Sequence, residues 1–202
     1  VVDGLFVSNF VGKSAFAAVN LIMPFLMGIS ALGFMIGTGG SAIVAKTLGE
    51  GKIENANEYF SMLVYITAIG GIIIAILSMF LVKPVAILFG ASGTLLDNCI
   101  LYGRILCISL PAFMLQNVFQ SFFVTAEKPH LGLRVIVIAG VTNMVLDFLF
   151  VAVLHFGLPG AGFATVCGEF IGGLFPLFYF GRKNSSLLKL GKTHFHGRIL
   201  LK

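Results

Sequence analysis

Charge is what this chain has least of. Of its 202 residues, 13 are Lys or Arg and 8 are Asp or Glu, 10% together, with a formal net charge of +5. An ordinary soluble domain carries about 25% charged residues. Hydrophobic residues reach 58% without counting glycine, and the mean hydropathy is +1.04. A water-soluble domain must cover its surface with polar groups, and too few are present here. The composition therefore argues against a soluble enzyme, a nucleic-acid binder and a disordered linker. Cysteine is also scarce. Cys99, Cys107 and Cys167 show no CxxC or Cys/His ligand spacing, so they read as small packing residues and not as a disulfide frame or a metal site. No Met or basic segment precedes the first apolar run, so no signal peptide is expected. The chain reads as a fragment cut inside its first helix and ending just after its last. With 25 Gly and 6 Pro it is not a plain coiled coil, which leaves a polytopic all-α membrane protein.

About 20 apolar residues cross a bilayer core. Charge-poor runs predict one partial span at 1–11 and five full spans at 14–45, 59–82, 98–124, 131–154 and 159–181, followed by a basic tail at 182–202. The third span is apolar all round, without the polar face of a soluble helix. Counting alternate connections, Lys46, Lys52, Lys128, Arg134, Arg182, Lys183, Lys189, Lys192, Arg198 and Lys202 fall on one side, against Lys13, Lys83 and Arg104 on the other. The positive-inside rule makes the first side cytoplasmic, so the tail is expected there. The tail mixes leucines with basic residues and reads as a linker or as a segment lying on the anionic inner leaflet. Gly33/Gly37 and Gly168/Gly172 both have GxxxG spacing, which reads as close helix packing.

Ionisable groups inside the hydrocarbon layer are costly and usually face a cavity or a partner. Asp3, Asp147 and Glu169 fall inside spans. A rise of about 1.5 Å per residue puts Asp3, Asp147 and Thr165 each roughly 10 Å below the same membrane edge, and Asn143 level with Glu169 about 15 Å deep. Asn143 and Asp147 share a face of the fifth helix at i, i+4 spacing, as Thr165 and Glu169 do on the sixth. Carboxylate, amide and hydroxyl oxygens are the hard ligands that a small cation takes, and clustered buried carboxyls also suit a proton carrier. The alternative is a set of buried polar ties between helices. Gln116, Asn117 and Gln120 on the fourth span read as packing groups or cavity lining.

Several segments resemble the multidrug and toxic compound extrusion (MATE) family. They are Val2-Asp3-Gly4-Leu5-Phe6-Val7 with Gly12 and Ala15–Val19; Gly37-Thr38-Gly39-Gly40-Ser41 with Ala45-Lys46-Thr47-Leu48-Gly49 and Ala56; Asn143-Met144-Val145-Leu146-Asp147; and Gly160-Ala161-Gly162-Phe163-Ala164-Thr165. The flavour is nearest to its bacterial DinF-like multidrug-exporter branch. The resemblance implies a six-helix lobe of a twelve-helix transporter in the bacterial plasma membrane, with a second lobe missing. It implies export of cationic amphipathic drugs in exchange for Na+ or H+, with no other cofactor. The family's cation-site roles would fall on Asp3, Asn143, Asp147 and Thr165. The reading of the residues alone makes Glu169, Gln116, Asn117 and Gln120 candidates for lining a cavity or meeting substrate. One departure is Ala126-Glu127-Lys128-Pro129, where the family more often has an Arg and a Gly.

Three other readings compete. A lipid-linked oligosaccharide flippase of the same superfamily would carry more basic residues within the lobe to meet phosphate, where only Arg104 stands. An intramembrane enzyme would need a nucleophile with its base, or a metal set, at bilayer depth. His130 and His155 lie at span ends, and His194 and His196 lie in the tail. A structural membrane subunit would leave the acids unexplained.

Overall fold

Backbone polar groups cannot stay unpaired in lipid, so each long apolar run has to wind into a helix. The computed structural model describes residues 2–182 and 185–191, with side chains from residue 4 onward. It holds α1 (Val2–Phe10), α2 (Lys13–Gly49), α3 (Ile53–Leu88), α4 (Gly93–Thr125), α5 (Pro129–Asp147), a π-helical extension of α5 (Phe148–Val153) and α6 (Gly157–Gly181). No strand occurs among the described residues. Five of the helices, α5 counted with its extension, are long and apolar enough to cross a membrane. The expected six-helix all-α bundle is the observed architecture of a multi-pass membrane protein. Pro24, Pro84, Pro111 and Pro176 lie inside helices without ending them. Neighbouring helices and local adjustment accommodate such breaks in membrane helices. In the α4–α5 link Glu127 takes φ 57°, a left-handed conformation that favours glycine.

The packing inverts the pattern of a soluble helix. On α3, Thr67, Gly71, Ala75 and Ser78 face inward, while Ile69, Ile72, Ile73, Ile76, Leu77 and Phe80 are exposed. Small residues inside let backbones approach, and large apolar ones outside suit acyl chains. Helix α4 is the hub, packed on α2, α3 and α6. Both GxxxG pairs are helix contacts. A methyl added at Gly33 would lie 2.8 Å from the Met114 Cα, and one at Gly37 would lie 2.9 Å from the Val118 Cα, so α2 crosses α4 almost backbone to backbone. Gly168 meets α5 and Gly172 meets Gln116 of α4.

Two apolar cores fill the bundle. The one toward the α1–α2, α3–α4 and α5–α6 links joins Val7, Ile22, Val82, Tyr102, Leu106, Val151 and Ala161. The other gathers Phe60, Phe119, Phe122, Phe123 and Phe180, with the Phe60 ring centroid 4.8 Å from that of Phe122 and 5.1 Å from that of Phe180.

The tail expected at 182–202 departs from a free linker over its described part. Residues 185–191 run back onto α3. The Lys189 backbone N–H donates to Asn57 Oδ1 at 2.7 Å, the Gly191 N–H to Ser61 Oγ at 3.0 Å, and the Leu190 N–H to the Phe180 carbonyl at 2.9 Å. Leu188 is fully buried in the phenylalanine core. Leu188, between the basic residues, is an anchor, which a charge count alone does not reveal. Leu188→Ala is expected to destabilise the bundle by roughly 2–5 kcal/mol, as buried Leu→Ala changes do, read as a lower thermal midpoint in detergent. The rest of the tail, His194 and His196 included, lies outside the described residues.

Candidate functional site

The α5–α6 pair carries the polar residues singled out above. The short turn at Leu154–Phe156 joins the two helices, with His155 at φ 53°. Where they cross, Gly168 leaves no room between them. A methyl there would sit 3.0 Å from both the Asn143 Cβ and the Ala139 carbonyl oxygen. This close approach lets the Asn143 Nδ2 donate to Thr165 Oγ1 at 3.4 Å, while the Thr165 hydroxyl donates to the Ala161 carbonyl at 3.1 Å.

The observed register differs from the one that helix counting predicts. Asn143 stands between Thr165, which its amide meets, and Glu169, whose neighbour Gly168 lies against its Cβ. Asp147 therefore stands nearer the α5–α6 link than Thr165 does, and Glu169 farther from it. The cause is the winding of Phe148–Val153 as a π-helix. Its i→i+5 pairing puts more residues in each turn, so the chain climbs less per residue than an α-helix. Helix α6 also begins two residues earlier than its apolar run.

Asp147 is fully buried at the last α-helical turn before the π segment. Val151, one turn beyond it, is buried in one core with Val7 of α1 and with Leu158 and Ala161 of α6. Helix α1 packs against α5, its extension and α6. Asp3 precedes Val7 by one turn on α1; its side chain lies outside the described residues. Three helices thus converge around the level of Asp147.

Farther from the link, an open cleft of about 220 Å³ lies between α4, α5 and α6, with Asn143, Thr165, Gln116, Phe113 and Glu169 on its walls. Gln116 folds over Gly172, which has no side chain to displace it. The other two amides tie helices: Asn117 donates to the Ser30 carbonyl of α2 at 3.4 Å, and Gln120 to the Gly132 carbonyl of α5 at 3.5 Å. Glu169 is half-buried and accepts a hydrogen bond from the Ser109 hydroxyl of α4. Ser109 is absent from the candidates read in the sequence, though a signal was present. Ser109, Phe113, Gln116 and Gln120 follow i, i+4, i+7, i+11 spacing, one face of α4.

Known proteins share both the sequence pattern and this architecture. A family model described as MatE matches residues 1–149. The chain belongs to the MatE family. Over 171 residues it is 28% identical to the multidrug export protein MepA of Staphylococcus haemolyticus, covering 85% of this chain and 38% of that one. A solved MATE structure in the bent conformation superposes with a TM-score of 0.92 at 26% identity, over 98% of this chain and 45% of that one. The inward-facing structure of a multidrug resistance MATE family transporter of the MOP superfamily also gives 0.92 at 26% identity, over 99% and 46%. The chain thus spans less than half the length of the MatE relatives it matches.

Proposed function

We propose that this chain is one lobe of a two-lobed secondary antiporter in the bacterial plasma membrane, exporting cationic amphipathic compounds in exchange for Na+ or H+. The observation that carries the proposal is the fully buried carboxylate of Asp147 beside the Asn143–Thr165 hydrogen bond, where α1, α5 and α6 meet. A buried charge is costly unless a partner neutralises it. Na+ or H+ is taken up at Asp147, whose carboxylate has the chemistry that either would seek, and Asp3 on α1 is the residue of that helix assigned to the same role. The Asn143 amide nitrogen is engaged with Thr165, so its carbonyl oxygen serves the cation. Thr165 adds hydroxyl oxygen, which completes a set of hard donors. Loading the site draws the three helices together and reshapes the cleft one turn away. Drug and ion thereby favour opposite-facing states, as exchange requires. The basic connections α2–α3 and α4–α5 and the tail then face the cytoplasm.

A flippase for phosphate-linked lipids fits the cleft less well. Among its described lining residues the charged group is a carboxylate, with no Lys or Arg. The deciding experiment reconstitutes the whole transporter in liposomes and follows ethidium movement under an imposed Na+ or pH gradient. Gradient-driven, counter-directed transport is expected. Ethidium movement indifferent to both gradients would overturn the reading.

A further inference from the structure

Helix α3 is apolar for most of its length, yet Asn57, Ser61 and Tyr65 stand along one stripe near its start at i, i+4, i+8 spacing. All three meet the chain that leaves α6. Asn57 Oδ1 accepts from the Lys189 N–H at 2.7 Å and Ser61 Oγ from the Gly191 N–H at 3.0 Å, while the Tyr65 hydroxyl donates to the Gly191 carbonyl at 3.4 Å. The Ser61 proton goes to the Asn57 carbonyl at 2.8 Å, which leaves its lone pairs to Gly191. Between these contacts the Leu190 N–H caps the Phe180 carbonyl, in the last turn of α6, at 2.9 Å. The Ser186 hydroxyl closes the start of the segment on the Leu188 carbonyl at 2.7 Å. Residues 189–191 thus have every N–H paired without belonging to a helix or a strand, and Leu188 is sealed in the phenylalanine core that α3, α4 and α6 share.

We propose that residues 186–191 are a clamp that joins the ends of α3 and α6, stays shut through the transport cycle, and moves the point from which the chain leaves the lobe from Gly181 to Gly191. The proposal rests on the two-lobe reading above and assigns the joint between the lobes. Helices α3 and α6 both pack on α4, and the clamp adds a direct link between them on the side of the basic connections. A tether free from Gly181 onward would gain ten residues, roughly 35 Å of reach. The second lobe would then be held at a lower effective concentration. With the clamp shut, a shift of the second lobe pulls on α3, which is packed along α4, and not on the end of α6. The contacts recognise backbone: Asn57, Ser61 and Tyr65 meet N–H and C=O groups, and the choice of side chain falls on Leu188. An apolar helix that keeps three polar residues in register with one extended segment is built to hold that segment.

The test uses the intact transporter, in nanodiscs for structure and in liposomes for efflux. Hydrogen exchange in the peptide spanning 186–191 is expected to be slow in the wild type and about tenfold or more faster in Asn57→Ala/Ser61→Ala, with peptides from α4 unchanged. Asn57→Asp/Ser61→Thr keeps both acceptors and should keep the slow exchange. Spin labels at Lys46, exposed on α2, and on the second lobe should give a broader distance distribution in the alanine pair than in the wild type. A crosslink decides the matter if the alanine pair does not fold. Oxidised Ser61→Cys/Gly191→Cys protein is expected to export ethidium as its reduced form does. Fast exchange at 186–191 in the wild type would overturn the clamp. So would an unbroadened distribution in the folded alanine pair, or efflux that stops on oxidation and returns on reduction. The two readings fail separately. A protected segment and a broadened distribution, with ethidium movement indifferent to ion gradients, sink the antiporter and keep the clamp, whereas coupled efflux with fast exchange does the reverse.

Discussion

Asp147→Asn is expected to reduce gradient-driven ethidium efflux to the passive leak while leaving the protein folded. The substitution keeps shape and volume and removes only the capacity to carry charge or bind a proton. At this fully buried position the isosteric amide keeps the packing of the side chain, so the thermal midpoint should change little. Loss of coupling with retained stability is the signature of a group kept for its charge. A purely structural tie would give the opposite result, a lower midpoint with coupling intact. Asn143→Ala and Thr165→Val remove neutral oxygens from the same neighbourhood and should raise the ion concentration needed for half-maximal transport without abolishing it. Efflux by Asp147→Asn with unchanged Na+ and pH dependence would refute the role assigned to this carboxylate.

The sequence disclosed the helices more fully than the site. Apolar runs of bilayer length leave a backbone one solution in lipid, so the six helices were legible from composition and charge spacing alone. Pairing Asn143 with Asp147 and Thr165 with Glu169 needed only 3.6-residue periodicity. What periodicity misses is the relative height of two helices. That depends on the π winding of Phe148–Val153, and nothing in Phe-Leu-Phe-Val-Ala-Val sets it apart from ordinary helix. The Ser109–Glu169 bond was hidden for a different reason. A serine in an apolar helix usually bonds back to its own backbone, and the single Ser109 proton is shared between Glu169 and the Leu106 carbonyl 3.0 Å away. Only its position on the stripe of Phe113 and Gln116 marks it as more than local. Leu188 shows the converse: a leucine set among lysines reads as tail, yet it completes the phenylalanine core.

Gly173→Ala is expected to cause the largest structural loss of any single methyl in the bundle. A Cβ built there would overlap the Ala112 carbonyl oxygen and lie 2.9 Å from the Ala112 Cα. Both obstacles are backbone, so no rotamer change relieves them, and α6 must move away from the hub helix α4. Overpacking of this kind costs about 1–3 kcal/mol and occasionally more; contact with fixed backbone places this site at or above the upper end. Gly28 supplies the control. It lies inside α2, and a methyl added there would have nothing within 4 Å. Gly28→Ala should therefore be neutral, or stabilising by up to about 1 kcal/mol through helix propensity. Thermal midpoints and monodispersity in detergent compare the two substitutions directly. Equal midpoints for Gly173→Ala and Gly28→Ala would mean that the α4–α6 crossing is looser than its geometry implies.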